Sequence, residues 1–340
     1  MSALSDLLND ESHDERTAAY DELAESALRV FGVTAREVLH LGHNSGAAYR
    51  VESADSRRLL LKVHAPLGDG EGLSEHAILG GLQWLASIAG STDLPVQAPV
   101  AAPTGALLPT VRFRGLSLPC SLQRWLDGEH VEGLTADQGR AVGELMGRWH
   151  ALSVQRAATA DGAVHYDSRY LEHALGDLRV LSTTGAITHE SWHTVERAIA
   201  LVCRLMDAIG TSADVYGVVH GDLSPDNIIV AEDGTVQFID LAQLALAPYL
   251  WDVGVGLYQY SYQDASVRHA LVTGYRSARP GLTIPPLALE AFVCAAALSN
   301  LAFQCSLPAQ RTTRLFHTNV HTFATGYCRD LVDGVPFALA

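Results

Sequence analysis

A short polar stretch that directly follows an apolar segment contains the residues best suited to chemistry. The segment "VVHGDLSPDN", residues 218–227, presents His220, Asp222 and Asn227 after two valines, and Asp240 ends the apolar run "TVQFID". Asn227 stands five positions after Asp222, and Asp240 thirteen after Asn227. Two carboxylates and an amide at this spacing suggest one shared site, and the alternative is a plain solvated turn.

The chemistry expected of such a set is phosphoryl transfer from Mg-ATP. The segments "NIIV" and "TVQFID" flank "AEDG", whose Asp-Gly pair predicts a β-hairpin. We place Val230 opposite Thr235. In that register Asn227 lies opposite Phe238, and Asp240 follows at the same end of the hairpin. Carboxylate and amide oxygens bind Mg²⁺ together with phosphate oxygens, and a further carboxylate accepts the proton of an attacking hydroxyl.

The order of these residues is that of the protein-kinase motifs H-R-D-x-x-x-x-N and D-F-G. Residues 220–222 and Asn227 align with the first motif, and Asp240 aligns with the Asp that begins the second. Gly221 replaces the arginine that can hold a phosphorylated activation loop. Only eleven residues separate Asp240 from Asp252, which leaves no room for a long loop of that kind. The pattern therefore favours a small-molecule kinase over a switched protein kinase.

The first half of the chain supplies a candidate phosphate-binding lysine. In "RRLLLKVHA" we place Lys62 on one face of a β-strand with Leu60 and His64, and the other apolar residues on the opposite face. A lysine among apolar neighbours is unfavourable unless it is paired or binds a ligand. The alternative is that it reaches solvent from an edge strand. We expect its carboxylate partner at Glu75 on the following helix, with Glu71 as second choice.

Four segments of the chain resemble the aminoglycoside phosphotransferase/choline kinase-like family, over roughly residues 25–330. They are "LLLKVHA", "LPCSLQRWLDGEHV", "VVHGDLSPDN" and "VQFIDLAQLALAPYLWDVG". The resemblance implies a protein-kinase-like fold, ATP and Mg²⁺ as cofactors, and a small-molecule hydroxyl as the phosphate acceptor. It further implies that Asp222 is the catalytic base and that Asn227 and Asp240 are the magnesium ligands.

The resemblance also implies roles for residues around the catalytic turn. His220 is expected to brace that turn, and Asp252 to hold it by accepting hydrogen bonds from its backbone. The chain departs from the family at Leu241, where many members have an aromatic residue after the metal-binding aspartate.

The remaining nucleotide-binding candidates lie in two segments of the first half. "LGHNSGAAYRV" occupies the place of the phosphate loop but lacks G-x-G-x-x-G, and its candidates are Asn44, Ser45 and Gly46. Gln123 and Trp125 lie in "LQRW", where we expect two lobes to join and the adenine to be bound by backbone groups. We expect Trp125 to pack at this junction rather than to stack on the base.

The succession of elements predicts an α+β chain with a two-lobe, protein-kinase-like fold: a small β-rich N-lobe and a larger, mostly helical C-lobe. We divide it into an acidic lead-in (1–18), a nucleotide-binding N-lobe (19–125) and a C-lobe (126–340) with the catalytic hairpin and the acceptor site. Apolar periodicity predicts helices over 19–32 and 72–90 of the N-lobe.

Composition excludes several classes of function. The chain has 340 residues, of which 48% are hydrophobic, and its net charge is −15. This negative charge argues against a protein that binds the phosphate backbone of a nucleic acid. Five scattered cysteines without a CxxC argue against a disulfide framework or a zinc ribbon. Residues 291–310 carry no charge, but their polar side chains favour a buried helix over a membrane span. We expect a cytoplasmic protein without a membrane partner, and we leave a homodimer open.

Three alternatives and one question stay open at this point. A bacterial stress-type serine/threonine protein kinase is the nearest enzymatic alternative, and a non-catalytic pseudokinase is an alternative of another class. His317 and His321, four residues apart, are a weak zinc candidate. The acceptor has no readable signature, so an antibiotic, an amino-alcohol, an amino acid and a sugar all remain.

Overall fold

The chain forms two compact units in a computed structural model. The residues that the structure describes are 13–43, 46–64, 74–155, 162–241, 244–285, 287–307 and 310–340. The first unit comprises Met1–Asp127, Thr159–Ala163 and Ile239–Leu244, and the second unit comprises the rest of the chain. Asp240 therefore belongs to the first unit, although the hairpin that precedes it belongs to the second.

In its described residues, the first unit has a five-stranded antiparallel sheet and two helices. In chain order its elements are α1 (His13–Phe31), β1 (Ala35–His43), β2 (Ala47–Ser53), β3 (Arg58–Val63), α2 (Glu75–Ile88), β4 (Thr110–Phe113) and β5 (Leu116–Arg124). The strand order is β1-β2-β3-β5-β4. β3, which carries Lys62, therefore lies in the centre of the sheet between β2 and β5, and it is not an edge strand.

Alternation of side chains explains how β3 presents Lys62. Leu59, Leu61 and Val63 belong to the core cluster that α1 and the sheet form together. Lys62 points to the opposite face, as period-two alternation predicts. Its position in the middle of a sheet rules out the edge-strand alternative.

Helix α1 begins earlier than the sequence predicts. We predicted a loose lead-in to residue 18 and a helix over 19–32, whereas the helix extends from His13 to Phe31. Residues 15–18 form an exposed first turn. Apolar periodicity cannot locate such a turn because none of its side chains faces the core.

The second unit is mostly helical and has two small sheets. Its helices are α3 (Ala136–Gln155), α4 (Ser168–Thr183), α5 (His189–Ile209), α6 (Leu250–Gln259), α7 (Ala265–Ala278), α8 (Ala288–Ser306), α9 (Arg314–Asn319) and α10 (Cys328–Asp333). Its strands are β6 (Glu129–His130), β7 (Val164–His165), β8 (Tyr216–Val219), β9 (Ile228–Val230), β10 (Val236–Phe238) and β11 (Ala245–Pro248). The sheet orders are β10-β9-β6 and β7-β11-β8.

The hairpin of β9 and β10 forms, but with a register one residue away from the predicted one. Val230 pairs with Val236 rather than with Thr235. The N–H of Ala231 donates to the carbonyl of Thr235 over 2.9 Å, so residues 231–235 form a five-residue loop. Because of that longer loop, Phe238 faces Ile228, and the predicted pairing of Phe238 with Asn227 is wrong.

Helices α3 and α7 pack closely because both carry glycine at their contact. A Cβ on Gly143 of α3 would lie 2.0 Å from the carbonyl oxygen of Leu271, and one on Gly274 of α7 would lie 2.0 Å from that of Arg140. No side chain fits at either position. This close approach brings His150 of α3 near Tyr275 of α7.

Helix α8 includes most of the uncharged segment 291–310. Ala288–Ser306 is long and apolar enough to cross a membrane, with a mean hydropathy of 1.4, but 72% of its apolar window is buried within the protein. A core helix passes the same test of length and composition.

Candidate active site

Asp222 and Asn227 are hydrogen-bonded to each other in the turn between β8 and β9. Nδ2 of Asn227 donates to Oδ2 of Asp222 over 3.0 Å and to its backbone carbonyl over 2.7 Å. Asn227 is buried, whereas Asp222 is exposed. Because both bonds use the NH₂ group, Oδ1 of Asn227 is left as the oxygen that can bind a metal.

The buried carboxylate of Asp252 holds the turn that carries Asp222. It accepts hydrogen bonds from the backbone N–H groups of His220 and Gly221, each over 2.8 Å. These are the backbone hydrogen bonds expected of Asp252. Gly221 has a φ of +81°, so the turn uses a conformation that suits glycine.

His150, which the sequence pattern did not identify, is the third donor to Asp252. Its Nε2 lies 3.0 Å from Oδ2 of Asp252, and its Nδ1 lies 3.1 Å from the hydroxyl of Tyr275. A carboxylate only accepts, so Nε2 carries the proton, and Nδ1 accepts from Tyr275. The ring is completely buried. In the sequence, the position of His150 among core residues of α3 was the only indication of its role.

Burial keeps His150 neutral, and hydrogen bonds keep the neighbouring Asp252 charged. Burial, which removes water from the imidazolium, lowers the pKa of His150 despite the nearby Asp252. Burial raises the pKa of Asp252, but the hydrogen bonds that it accepts, from His150 and from the N–H of Gly221 among others, favour the charged carboxylate, and the pKa is lowered overall. The turn is therefore anchored to a buried negative charge.

His220 contacts the turn with both its backbone and its ring. Nδ1 accepts a long hydrogen bond, 3.4 Å, from the N–H of Asp222. The ring packs edge-on against Phe238 at 6.1 Å between centroids. His220 thus links the turn to the β9–β10 hairpin, which is a suitable position for a brace.

In the first unit, Lys62 forms an ion pair with Asp240. The Lys62 side chain is 15% exposed and that of Asp240 is 38% exposed, so the pair is only partly accessible to water. Residues 178 positions apart meet here. Such a long-range pair could not be predicted from helix or strand spacing.

The predicted partner of Lys62 is wrong. Glu75 is exposed at the first position of α2, and Lys62 pairs with Asp240 instead. As the first residue of its helix, Glu75 lies near the positive end of the helix dipole, where a carboxylate is stabilised without a basic partner. Glu71, the second choice, lies outside the described residues.

The backbone of Asp240 is held by Gln97, a second residue that the sequence pattern did not identify. The N–H of Asp240 donates to Oε1 of Gln97 over 2.8 Å. Asp240 has a φ of +62°, a left-handed conformation that is uncommon outside glycine. Gln97 lies in the proline-rich segment "PVQAPVAAP", residues 95–103, and nothing in that composition indicates a binding role.

Gln123 and Trp125 contribute to the packing of this region. Gln123 is buried, and its Nε2 donates to the carbonyl of Gln97 over 3.1 Å. Trp125 is half-buried, and its backbone N–H donates to the carbonyl of Arg58 over 3.1 Å. The Gln123 side chain therefore packs against the segment of Gln97, and the Trp125 N–H is hydrogen-bonded to the start of β3.

Of the predicted phosphate-loop residues, only Gly46 is described; Asn44 and Ser45 lie outside the described residues. A Cβ at Gly46 would lie 2.5 Å from the carbonyl oxygen of Val63, so the start of β2 passes close to the end of β3. Next to it, Nε2 of His64 lies 2.9 Å from the hydroxyl of Ser121.

Each unit carries an oxygen ligand of the kind that a hard cation such as Mg²⁺ takes. A carboxylate on Asp240 and an amide oxygen on Asn227 are oxygen ligands, and Mg²⁺ in kinases takes its other ligands from phosphates and water. Within the described chain, no three His, Cys, Asp or Glu residues are grouped to hold a metal, so zinc at His317 and His321 has no support there.

Comparison with known proteins identifies the type of chain. The family model "APH: Phosphotransferase enzyme family" matches residues 37–284. No curated protein matches the chain significantly. The region matched contains the turn of Asp222 and Asn227, the β9–β10 hairpin and the strand of Lys62.

Solved structures share the fold over nearly the whole chain. An aminopropanol kinase associated with a microcompartment is 24% identical, with a TM-score of 0.72 over 94% of this chain and 100% of that one. An amicoumacin kinase solved with AMP-PNP and Ca²⁺ is 16% identical, with a TM-score of 0.70 over 96% and 97%. A spectinomycin phosphotransferase solved with ADP and spectinomycin is 13% identical, with a TM-score of 0.60 over 93% and 97%. The chain thus has the α+β, kinase-like fold that was predicted.

Proposed function

The chain belongs to the phosphotransferase enzyme family, and we propose that it transfers the γ-phosphate of ATP to a hydroxyl group of a small molecule. The observation that carries this proposal is the exposed Asp222 carboxylate, hydrogen-bonded to Asn227 on a turn that buried Asp252 holds. A carboxylate that is both accessible and fixed suits a general base.

Asp222 has the role of proton acceptor in this proposal. The acceptor hydroxyl gives its proton to the Asp222 carboxylate while its oxygen forms a bond to the γ-phosphorus. The bond between that phosphorus and the bridging oxygen breaks, and ADP leaves. Catalysis by this chain is then mainly positioning and neutralisation of charge, as in other phosphoryl transfers.

The other residues of the site bind the nucleotide and its metal. When bound, Mg²⁺ neutralises the negative charge of the phosphates. Asp240 and Oδ1 of Asn227 are the proposed ligands, and Lys62 offers a positive charge to the phosphates. Asp240 already lies against Lys62, so a carboxylate and an ammonium group are held together in the first unit.

We also propose a division of labour and a location. The first unit, with Lys62, Gly46 and the Gln123–Trp125 strand end, binds the nucleotide, and the helical second unit selects the acceptor. The location that we propose is the cytoplasm. A net charge of −15 favours a cationic acceptor. An amino-alcohol is the first candidate to test because the aminopropanol kinase shares the fold over its full length.

A screen of ATP consumption tests the proposal. The protein with Mg²⁺ and ATP is offered amino-alcohols, antibiotics, amino acids and sugars, each beside the Asp222→Asn variant. We expect at least one acceptor to raise ATP consumption above the rate without acceptor, and Asp222→Asn to abolish that increase. Phosphorylation of an added protein but of no small molecule would identify a protein kinase. Nucleotide binding without turnover on any acceptor would identify a pseudokinase.

A further inference from the structure

Gln97 contacts both the backbone of Asp240 and the side chain of Gln123 on β5. Its segment runs along β5: the N–H of Arg124 donates to the carbonyl of Ala98 over 2.8 Å, and that of Val100 donates to Leu122 over 2.8 Å. Pro99 forms a β-bridge with Gln123. The backbone that directly follows Gln97 is therefore fixed to the sheet.

The Gln97 side chain is as constrained as its backbone. Gln97 is 6% exposed, and its backbone carbonyl accepts the Nε2–H of buried Gln123 over 3.1 Å. Its Oε1 accepts the N–H of Asp240 over 2.8 Å. Because an N–H group is the donor, the side-chain oxygen, and not the NH₂ group, must face Asp240.

This hydrogen bond acts on a residue whose backbone conformation is unfavourable. Asp240 has a φ of +62°, and non-glycine residues adopt this region only where the surroundings impose it. Lys62 binds the carboxylate of Asp240, and Gln97 accepts from its N–H. The bond to Gln97 is made by the backbone, and the backbone determines the direction in which the carboxylate leaves the main chain.

We propose that Gln97 is a positioning residue for metal binding: it orients the Asp240 carboxylate through the backbone N–H, so that Asp240 can bind Mg²⁺ together with the nucleotide. The inference rests on the proposed function, which makes Asp240 a magnesium ligand. Gln97 itself touches neither metal nor phosphate in this role.

The test separates metal binding from nucleotide binding. The affinity for ADP is measured by calorimetry without Mg²⁺ and with saturating Mg²⁺, and the ratio of the two gives the magnesium enhancement. Gln97→Met keeps the length of the side chain but removes the acceptor. We expect it to reduce the enhancement about tenfold, since the N–H of Asp240 loses its acceptor, and to change metal-free ADP affinity less than twofold.

Two further variants guard against a purely structural effect. Gln97→Glu keeps an acceptor oxygen and adds negative charge, so we expect an enhancement equal to or above that of the unmodified protein. Ser53→Ala removes a buried hydrogen-bonding hydroxyl at the β2–β3 turn, at the opposite end of β3 from Lys62. We expect it to lower the melting temperature and to leave the enhancement unchanged.

The outcomes distinguish this inference from the proposed function. An unchanged enhancement in folded Gln97→Met, with a loss in Asp240→Ala, would overturn the role of Gln97 alone. No loss in Asp240→Ala would overturn both. If Gln97→Met does not fold, a Gln97→Glu variant with a tenfold lower enhancement would contradict the proposal.

Discussion

His150 donates a hydrogen bond to Asp252 over 3.0 Å, and both side chains are almost completely buried. The same carboxylate accepts the backbone N–H groups of His220 and Gly221. A residue on α3 therefore stabilises the charge that holds the turn before Asp222, although it is far from that turn in the sequence. The position of Asp222 depends on the chain of contacts from α3 through Asp252.

Replacing His150 tests this chain of contacts. His150→Phe leaves the buried Asp252 carboxylate without one donor, so we expect a loss of about 3 kcal/mol in the free energy of unfolding. Tyr275→Phe removes only the hydrogen bond to Nδ1 and should cost about 1 kcal/mol. Urea unfolding at pH 7 measures both losses. Equal losses in the two variants would mean that the bond from Nε2 to Asp252 stabilises the protein no more than the bond from Tyr275 to Nδ1.

The stability of the first unit should depend on the protonation of His64. Burial lowers the pKa of His64 to about 4, with the nearby Lys62 acting in the same direction and Asp240 opposing it. The unfolded chain binds this proton near pH 6.5, so the stability from neutral His64 is complete above pH 6.5 and is lost as the pH falls toward 4.

The matched variant for this pH dependence is His64→Gln, which keeps a hydrogen-bonding group beside Ser121 but does not titrate. Between pH 7 and pH 4.5, we expect the unmodified protein to lose about 2 kcal/mol more than the variant. Urea unfolding at several pH values measures the difference. Parallel pH profiles for the two proteins would show that His64 titrates normally in the folded state.

The Lys62–Asp240 pair should couple energetically, whereas Lys62 and Glu75 should not. In a double-mutant cycle with Lys62→Met and Asp240→Asn, we expect a coupling of about 1 kcal/mol or less, because the pair is partly exposed. The cycle with Lys62→Met and Glu75→Gln should be additive within about 0.5 kcal/mol. Both are measured by urea unfolding without nucleotide, and coupling to Glu75 alone would restore the sequence-based pairing.

The sequence predicted the parts of the site that depend on local order. The α+β fold follows from strand and helix patterns, and the contact between Asp222 and Asn227 follows from their spacing within one turn. The hairpin was also predicted, but its register depended on a loop that is longer than the "AEDG" turn indicated. Loop length sets register in a hairpin, and one residue is enough to shift it.

The residues that the sequence did not reveal act through long-range contacts between buried polar groups. His150 and Gln97 lie among apolar residues and prolines, and their partners are far away in the chain. A buried polar side chain needs a hydrogen-bond partner, but the sequence does not say which. The same limit explains why Glu75, the nearby acid, was predicted for Lys62 in place of the distant Asp240.

Gly221, directly before Asp222, should not tolerate alanine. Its φ is +81°, and a Cβ there would lie 2.7 Å from Cε2 of Tyr166. The Tyr166 ring cannot move away easily because it stacks on Trp251, with 4.7 Å between centroids. Gly185 is the control, with a φ of +73° and no atom within 4 Å of an added Cβ.

Both substitutions place alanine in the left-handed region, which costs about 1 kcal/mol. Gly221→Ala adds the contact with Tyr166, so we expect at least about 1 kcal/mol of further destabilisation and a lower kcat. Thermal melting and urea unfolding of the two variants make the comparison. Equal losses would mean that the ring of Tyr166 moves aside without cost.

Asp222→Asn separates proton acceptance from the structural contacts of the turn. The asparagine oxygen can still accept from Nδ2 of Asn227, so the turn should keep its form, but the side chain is no longer a base. We therefore expect kcat to fall by about 10² or more. Nucleotide binding should persist, since Asp222 is not among the proposed metal ligands.

The measurement for Asp222→Asn pairs two observations on the same protein. The first is the melting shift with Mg-ATP, which should remain because a ligand that binds only the folded state stabilises it, by about 2.7 kcal/mol at a hundredfold excess over Kd. The second is single-turnover transfer to the acceptor found in the screen, which should be lost. Near-normal transfer would limit Asp222 to shaping the turn. Loss of both signals would make it a metal ligand or a structural brace, because a base that acts only in the chemical step does not contribute to nucleotide affinity.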